Sequence, residues 1–222
     1  MRPFDEIFAI AAERKGGAEA LEKLLEPPLS ARQLAAIPDD HWLSCATKCV
    51  FNAGFNWKVV EAMWPGFEAA FEGFDIGHCA MLNEDDIARL VSDNRIVRHG
   101  GKIRAVQENA LFLRDVAAEH GSAARFFAEW PDSDFAGLLD VLKKRGVRLG
   151  GNTGQYFMRF MGRDSFVLSR DVVARLVAEG VIDKEPSSRA AMTAVQAAFN
   201  AWMEESGRSL KEISRTLAMS IG

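Results

Sequence analysis

Apolar residues recur at three- and four-residue spacing along most of the chain. Phe4–Phe8–Ala11, Leu21–Leu24–Leu25, Val106–Ala110–Leu113 and Phe135–Leu138–Leu139–Leu142 each mark one face of a helix. No run of alternating β-branched residues is long enough to predict a sheet. Gly and Pro punctuate the breaks, at Pro27-Pro28, Pro38, Gly54, Pro65-Gly66, Gly100-Gly101, Gly121, Gly146, Gly150-Gly151, Gly180 and Pro186. Residues whose side chains accept from free helix N–H groups stand before several segments. They are Ser30 before ARQLAAI, Asp39 or Asp40 before HWLSCATKCVF, Asn83 before EDDIARLV, and Ser187 or Ser188 before RAAMTAVQAAFNAW. The pattern predicts an all-α protein, with residues 1–222 forming one domain that has no low-complexity linker.

At 222 residues the chain is long enough to bury a substantial core, and its 48% hydrophobic and 26% charged residues are ordinary for a globular protein. No apolar run approaches the roughly 20 residues that a membrane-spanning helix needs. The opening MRPFDEIFAIAAERKGG lacks a signal-peptide core, so a cytoplasmic protein without a membrane partner is expected. Cys45, Cys49 and Cys79 are too few for a disulfide framework and form no CxxC pair with a companion histidine, so no metal or other cofactor is expected.

The net charge of -4 says little about partners, but its distribution says more. Acidic residues dominate from Glu61 to Asp93. Two basic segments follow: Arg95, Arg98, Lys102 and Arg104, then Lys143, Lys144, Arg145 and Arg148. Binding phosphate requires only a local positive patch. The same cations would equally serve as solvated helix ends that complement the macrodipole.

The most informative stretch runs from Asp134 to Leu176. An amphipathic helix ends at Lys143-Lys144-Arg145-Gly146, a short turn covers Val147 to Gly151, and a second helix opens at Asn152 and Thr153. Such a turn exposes backbone N–H groups beside the positive end of a helix dipole, which is a seat for phosphate. An ordinary αα-corner would look similar. Beyond it, Asp171 lies 20 residues after Gly151.

In this arrangement the sequence resembles the helix-hairpin-helix superfamily of DNA glycosylases, whose catalytic aspartate stands at that distance from the hairpin. Three further blocks resemble the 3-methyladenine DNA glycosylase I family. The first is Ala53-Gly54-Phe55-Asn56-Trp57 with Phe67, Phe71 and Phe74-Asp75. The second is Ile96-Val97-Arg98-His99 with Gly101-Lys102-Ile103 and Asn109-Ala110. The third is Leu142-Lys143-Lys144-Arg145-Gly146 with Gly151-Asn152-Thr153 and Tyr156. The resemblance implies a compact two-lobed helical fold with a central cleft. It also implies a monofunctional hydrolase of base excision repair, acting on double-stranded DNA that contains a damaged base, with no obligate protein partner. A helix-hairpin-helix module that grips damaged DNA without cutting it is the alternative.

The departures from that family are specific. Its N-terminal Tyr-His-Asp run and its zinc ligands are absent, and Cys49 stands where it carries a pocket glutamate. The hairpin reads Arg148-Leu149-Gly150-Gly151, and Thr153 replaces the Schiff-base lysine of bifunctional members.

A glycosylase must flip its target base into a pocket with aromatic faces and a few polar groups. The resemblance therefore suggests Trp57, Tyr156 and Phe51 for stacking, Asn52 and Asn56 for the base edge, and Cys49 nearby. Trp42 and Phe51 also suit an apolar core. Asp171 would stabilise the cationic sugar and position water, and it would also suit a helix N-cap. Lys143, Lys144, Arg148, Gly150, Gly151, Thr153, Arg98 and Lys102 would contact DNA. His41, His78, His99 and His120 are expected to be structural or surface residues.

Overall fold

The computed structural model describes residues 1–221. Fourteen α-helices and two short 3-10 turns make up its regular structure, with no strand among the described residues. The all-α expectation holds. No helix is long and apolar enough to cross a membrane.

Local chemistry sets most helix starts as expected. Ser30 and Gln33 form a reciprocal capping box at α3 (Ala31–Ala35), Asn83 and Asp86 form another at α7 (Glu84–Ser92), and Ser188 caps α13 (Arg189–Ser206). The start of α4 (Asp39–Asn52) departs from expectation: Pro38 occupies the N-cap position and both aspartates fall in the first turn. Asp39 instead accepts from the N–H groups of Ala123 and Ala124, at 3.1 and 3.0 Å, and so caps α9 (Ala123–Glu129). The expected break at Pro65-Gly66 is also absent, because α5 (Trp57–Ala70) runs through it. Gly66 is needed there for close packing, since a Cβ would lie 2.3 Å from the Arg95 carbonyl oxygen.

The residues fall into two compact units. One comprises Met1–Leu29, Trp130–Leu138 and the stretch from Gly162 onward. It holds α1 (Phe4–Lys15), α2 (Ala18–Glu22), α12 (Arg170–Ala178), α13 and α14 (Leu210–Met219). Phe166 stacks on Phe199 in its core, and the Trp202 indole donates to the Arg2 carbonyl at 3.1 Å, tying the N-terminal segment to α13. Glu179 is buried but answered by Arg175 at 3.1 Å and Arg2 at 3.3 Å. Asp164, also buried, accepts from the N–H groups of Leu210 and Lys211 and so helps cap α14.

The other unit comprises Ser30–Glu129 and Leu139–Met161. Its long helix α8 (Gly100–His120) buries Ile103, Val106, Ala110 and Leu113. Trp42 stacks on Phe127, with centroids 4.6 Å apart, and meets Phe157 edge-on. Trp42 is thus core, as its apolar neighbours favour. The same unit carries the hairpin, between α10 (Phe135–Arg145) and α11 (Asn152–Phe160).

Candidate base pocket and nucleic-acid interface

Two helix faces line a cleft of about 520 Å³ within the second unit. From α4 come His41, Ser44, Cys45, Lys48 and Asn52, whose three- and four-residue spacing puts them on one side. From α5 come Trp57, Glu61, Trp64 and Glu68, and Phe160 closes one end from α11. The Lys48 ammonium lies 2.5 Å from a Glu61 oxygen and 4.9 Å from the centroid of the Trp64 ring. Glu68 Oε1 accepts from Trp64 Nε1 at 2.8 Å and from Ser44 Oγ at 3.1 Å.

Of the residues expected to bind the base, Asn52 and Trp57 line this cleft. Asn52 is only 8% exposed, and its Oδ1 has no hydrogen-bond partner. Trp57 is 47% exposed, a high value for a large aromatic. Tyr156 meets Trp57 edge-on at 5.6 Å and stacks on Phe160 at the same separation, so the three rings form one aromatic wall.

Three expectations are corrected. Phe51 is fully buried and packed edge-on against Phe67, so it belongs to the core beside the cleft and does not line it. Asn56 caps α5, its Oδ1 accepting from Lys58 N at 3.0 Å. Cys49 is buried, and its hydrogen bond with Cys45, reinforced by burial, pushes its thiol far above the ordinary range and keeps it neutral. The cleft is reached by Cys45 instead. His41, expected to be structural or superficial, lines the cleft as well. Ser44, Lys48, Glu61, Trp64 and Glu68 were not singled out by sequence reasoning. The available signal was polar residues at helical spacing on α4 and α5, the mirror of the apolar pattern that marks a core.

The hairpin is held from below by one side chain. Asn109, almost fully buried on α8, accepts from Val147 N at 2.8 Å and donates to Val147 O at 3.1 Å. Leu149 is buried beneath the turn, and a Cβ at Gly154 would lie 2.4 Å from its carbonyl oxygen. Arg148 takes a left-handed backbone conformation, φ +61°, which is costly without glycine. Gly151, at φ +59°, starts α11 and offers no side chain to cap it. The first N–H groups of α11, including that of Thr153, thus have no side-chain cap and suit an external anion.

Arg148 reaches across to α8, its Nε donating to the Gly101 carbonyl at 3.2 Å. This brings the two basic segments together, but most of their cations are already engaged. Lys102 is a correction: it is 5% exposed, donates to the Phe51 and Ala53 carbonyls at 3.2 and 2.5 Å, and lies over the Phe55 ring. Burial, then the nearby Arg148 charge, lower its pKa. Arg95 pairs with Asp93, Arg104 with Glu84, Lys144 with Asp140 and Arg145 with Glu119. Arg98 and Lys143 are exposed, and neither forms an ion pair with a described acidic residue.

Asp171 sits exposed in the first turn of α12, in the first unit. It is not the N-cap: Ser169 is, its Oγ accepting from Val172 N at 3.3 Å. No group of three or more His, Cys, Asp or Glu side chains is placed to hold a metal ion among the described residues.

The profile of the family described as methyladenine glycosylase matches residues 47–136, which contain most of the cleft-lining residues and the whole of α8. DNA-3-methyladenine glycosylase 1 of Escherichia coli (strain K12) is 32% identical over 131 residues, covering 50% of this chain and 70% of that protein. The chain belongs to the methyladenine glycosylase family. Solved structures extend the likeness at the level of fold. A variant of 3-methyladenine DNA glycosylase I in complex with 3-methyladenine matches with a TM-score of 0.53 at 20% identity, covering 62% of this chain and 81% of that one. The 8-oxoguanine glycosylase/lyase of Methanocaldococcus jannaschii, in complex with DNA containing 8-oxoguanine, matches at TM-score 0.53 and 14% identity. It covers 96% of this chain and 95% of its own. The family profile therefore covers most of the cleft-lining residues, and the likeness of fold to the solved structures extends over nearly all of the chain.

Proposed function

We propose that this chain is a monofunctional DNA repair glycosylase that hydrolyses the N-glycosidic bond of an alkylated purine such as 3-methyladenine. The observation that carries this reading is the cleft. Within the stretch that matches the family, an exposed indole stands beside a buried amide oxygen with no partner. A flipped base would supply what both lack: a flat face for Trp57, with Tyr156 behind it, and an N–H for Asn52 Oδ1. Phosphates flanking the lesion would seat on the N–H groups of Gly150, Gly151 and Thr153, with Lys143, Arg98 and Arg148 adding charge.

The chemistry needs few groups. An alkylated purine already carries positive charge and leaves without much acid assistance. The sugar left behind becomes cationic, and one carboxylate can stabilise it and orient the attacking water. Asp171 is proposed for that role. Thr153 occupies the place of a Schiff-base lysine, so the reaction would end at the abasic site. Incubation with DNA carrying defined alkylated purines, followed by chromatography of the released bases, tests the proposal. Free base with intact strands is the expected result. Tight binding to the lesion with no free base would make the chain a damage-binding module.

A further inference from the structure

The family's pocket glutamate has no counterpart at Cys49, yet the cleft does not lack a carboxylate. Glu68, about three turns beyond Trp57 on α5, lines the same cavity. Both of its hydrogen bonds, from Trp64 Nε1 and Ser44 Oγ, fall on Oε1. They fix the group and leave Oε2 for a ligand. The neighbouring cation does not neutralise it, since Lys48 is paired with Glu61 at 2.5 Å. Lys48, Glu61 and Glu68 together leave the cleft one negative charge. Asn52 points to a ligand independently: it is more than nine-tenths buried, lines the cleft and has an unpartnered oxygen.

We infer that Glu68 is the specificity-determining residue of the cleft, its Oε2 selecting a purine that carries positive charge or presents an N–H to a carboxylate. This inference rests on the function proposed above. A fixed carboxylate favours a cationic base over a neutral one of the same shape, because the charge-assisted contact is stronger and a neutral partner leaves the carboxylate poorly paired. The exposed indole face of Trp57 adds to the preference for a cation.

Glu68→Gln keeps an oxygen for Trp64 and Ser44 but removes the charge. Single-turnover base release is measured for duplexes containing a cationic N-methylpurine and for duplexes containing unsubstituted purine, which is neutral and presents no N–H to a carboxylate. The preference for the cationic lesion should fall roughly 10- to 100-fold, chiefly through weaker half-saturation. A merely structural role would slow both substrates alike. Equal losses, or an unchanged ratio, would overturn the inference. Should the wild type release no base, the proposed activity fails by itself. Titration with free 3-methyladenine, followed by tryptophan fluorescence, then decides the role of Glu68. Quenching that is at least tenfold weaker in Glu68→Gln supports it, and identical curves reject it.

Discussion

Lys102 shows how a single residue can carry a family-like motif and still have a local job. Its ammonium closes the C-terminal end of α4 by donating to the Phe51 and Ala53 carbonyls, in a site dry enough to lower its pKa. Carbonyls at a helix end need such donors, and a buried one left without a partner costs about 1–3 kcal/mol. Lys102→Met keeps the stem that packs beside Phe55 and removes the donor. Urea denaturation should therefore show a loss of about 1–3 kcal/mol, while DNA affinity of the folded variant should stay within twofold of wild type. A large affinity loss with unchanged stability would return Lys102 to the DNA surface. The sequence could not distinguish these roles, because Lys102 and its two acceptors are about fifty positions apart. The caps Ser30, Asn83 and Ser188 were legible because donor and acceptor are only two or three residues apart.

At the scale of elements, the hairpin between α10 and α11 was readable from its glycines and flanking charge, but the strength of its positive patch was not. Acidic partners come from other helices: Glu84 from α7 for Arg104, and Glu119 from α8 for Arg145. Pairing halves the number of cations that can meet phosphate, and Lys144 is further held by Asp140 one turn away. The cations without such partners should dominate. Arg98→Ala and Lys143→Ala are each expected to weaken DNA binding similarly on all sequences and to lower the slope of log affinity against log salt by about one. Fluorescence anisotropy across a salt series measures both. If neither slope changes, those side chains are solvated helix ends and the hairpin binds through its backbone alone. The cleft was legible only in part for a related reason. Trp57 lies in a recognisable block and Asn52 immediately precedes it, whereas Glu68 and Ser44 acquire meaning only when α4 and α5 pack face to face.

At the scale of the molecule, the stretch from 47 to 136 that matches the family falls almost wholly in the unit that holds the cleft, while α1 packs against α14 in the other. That first unit, apart from residues 130–136, lies outside the stretch that the family profile matches. It carries Asp171, the carboxylate proposed above for the sugar cation. Ser169, not Asp171, caps α12, so replacing Asp171 breaks no capping bond. A first-turn carboxylate contributes only about 0.3–1 kcal/mol through the helix dipole. Asp171→Asn should therefore melt close to wild type. If Asp171 faces the sugar cation in the reaction, single-turnover release of a methylated purine should fall by on the order of 100-fold, with binding to an abasic duplex retained. The loss should be larger for neutral hypoxanthine, since a base that leaves without its own positive charge depends more on stabilisation of the sugar. An Asn variant that releases both bases at the wild-type rate would remove Asp171 from the mechanism. Departure would then be driven by the charge of the base itself, held in the cleft by Glu68.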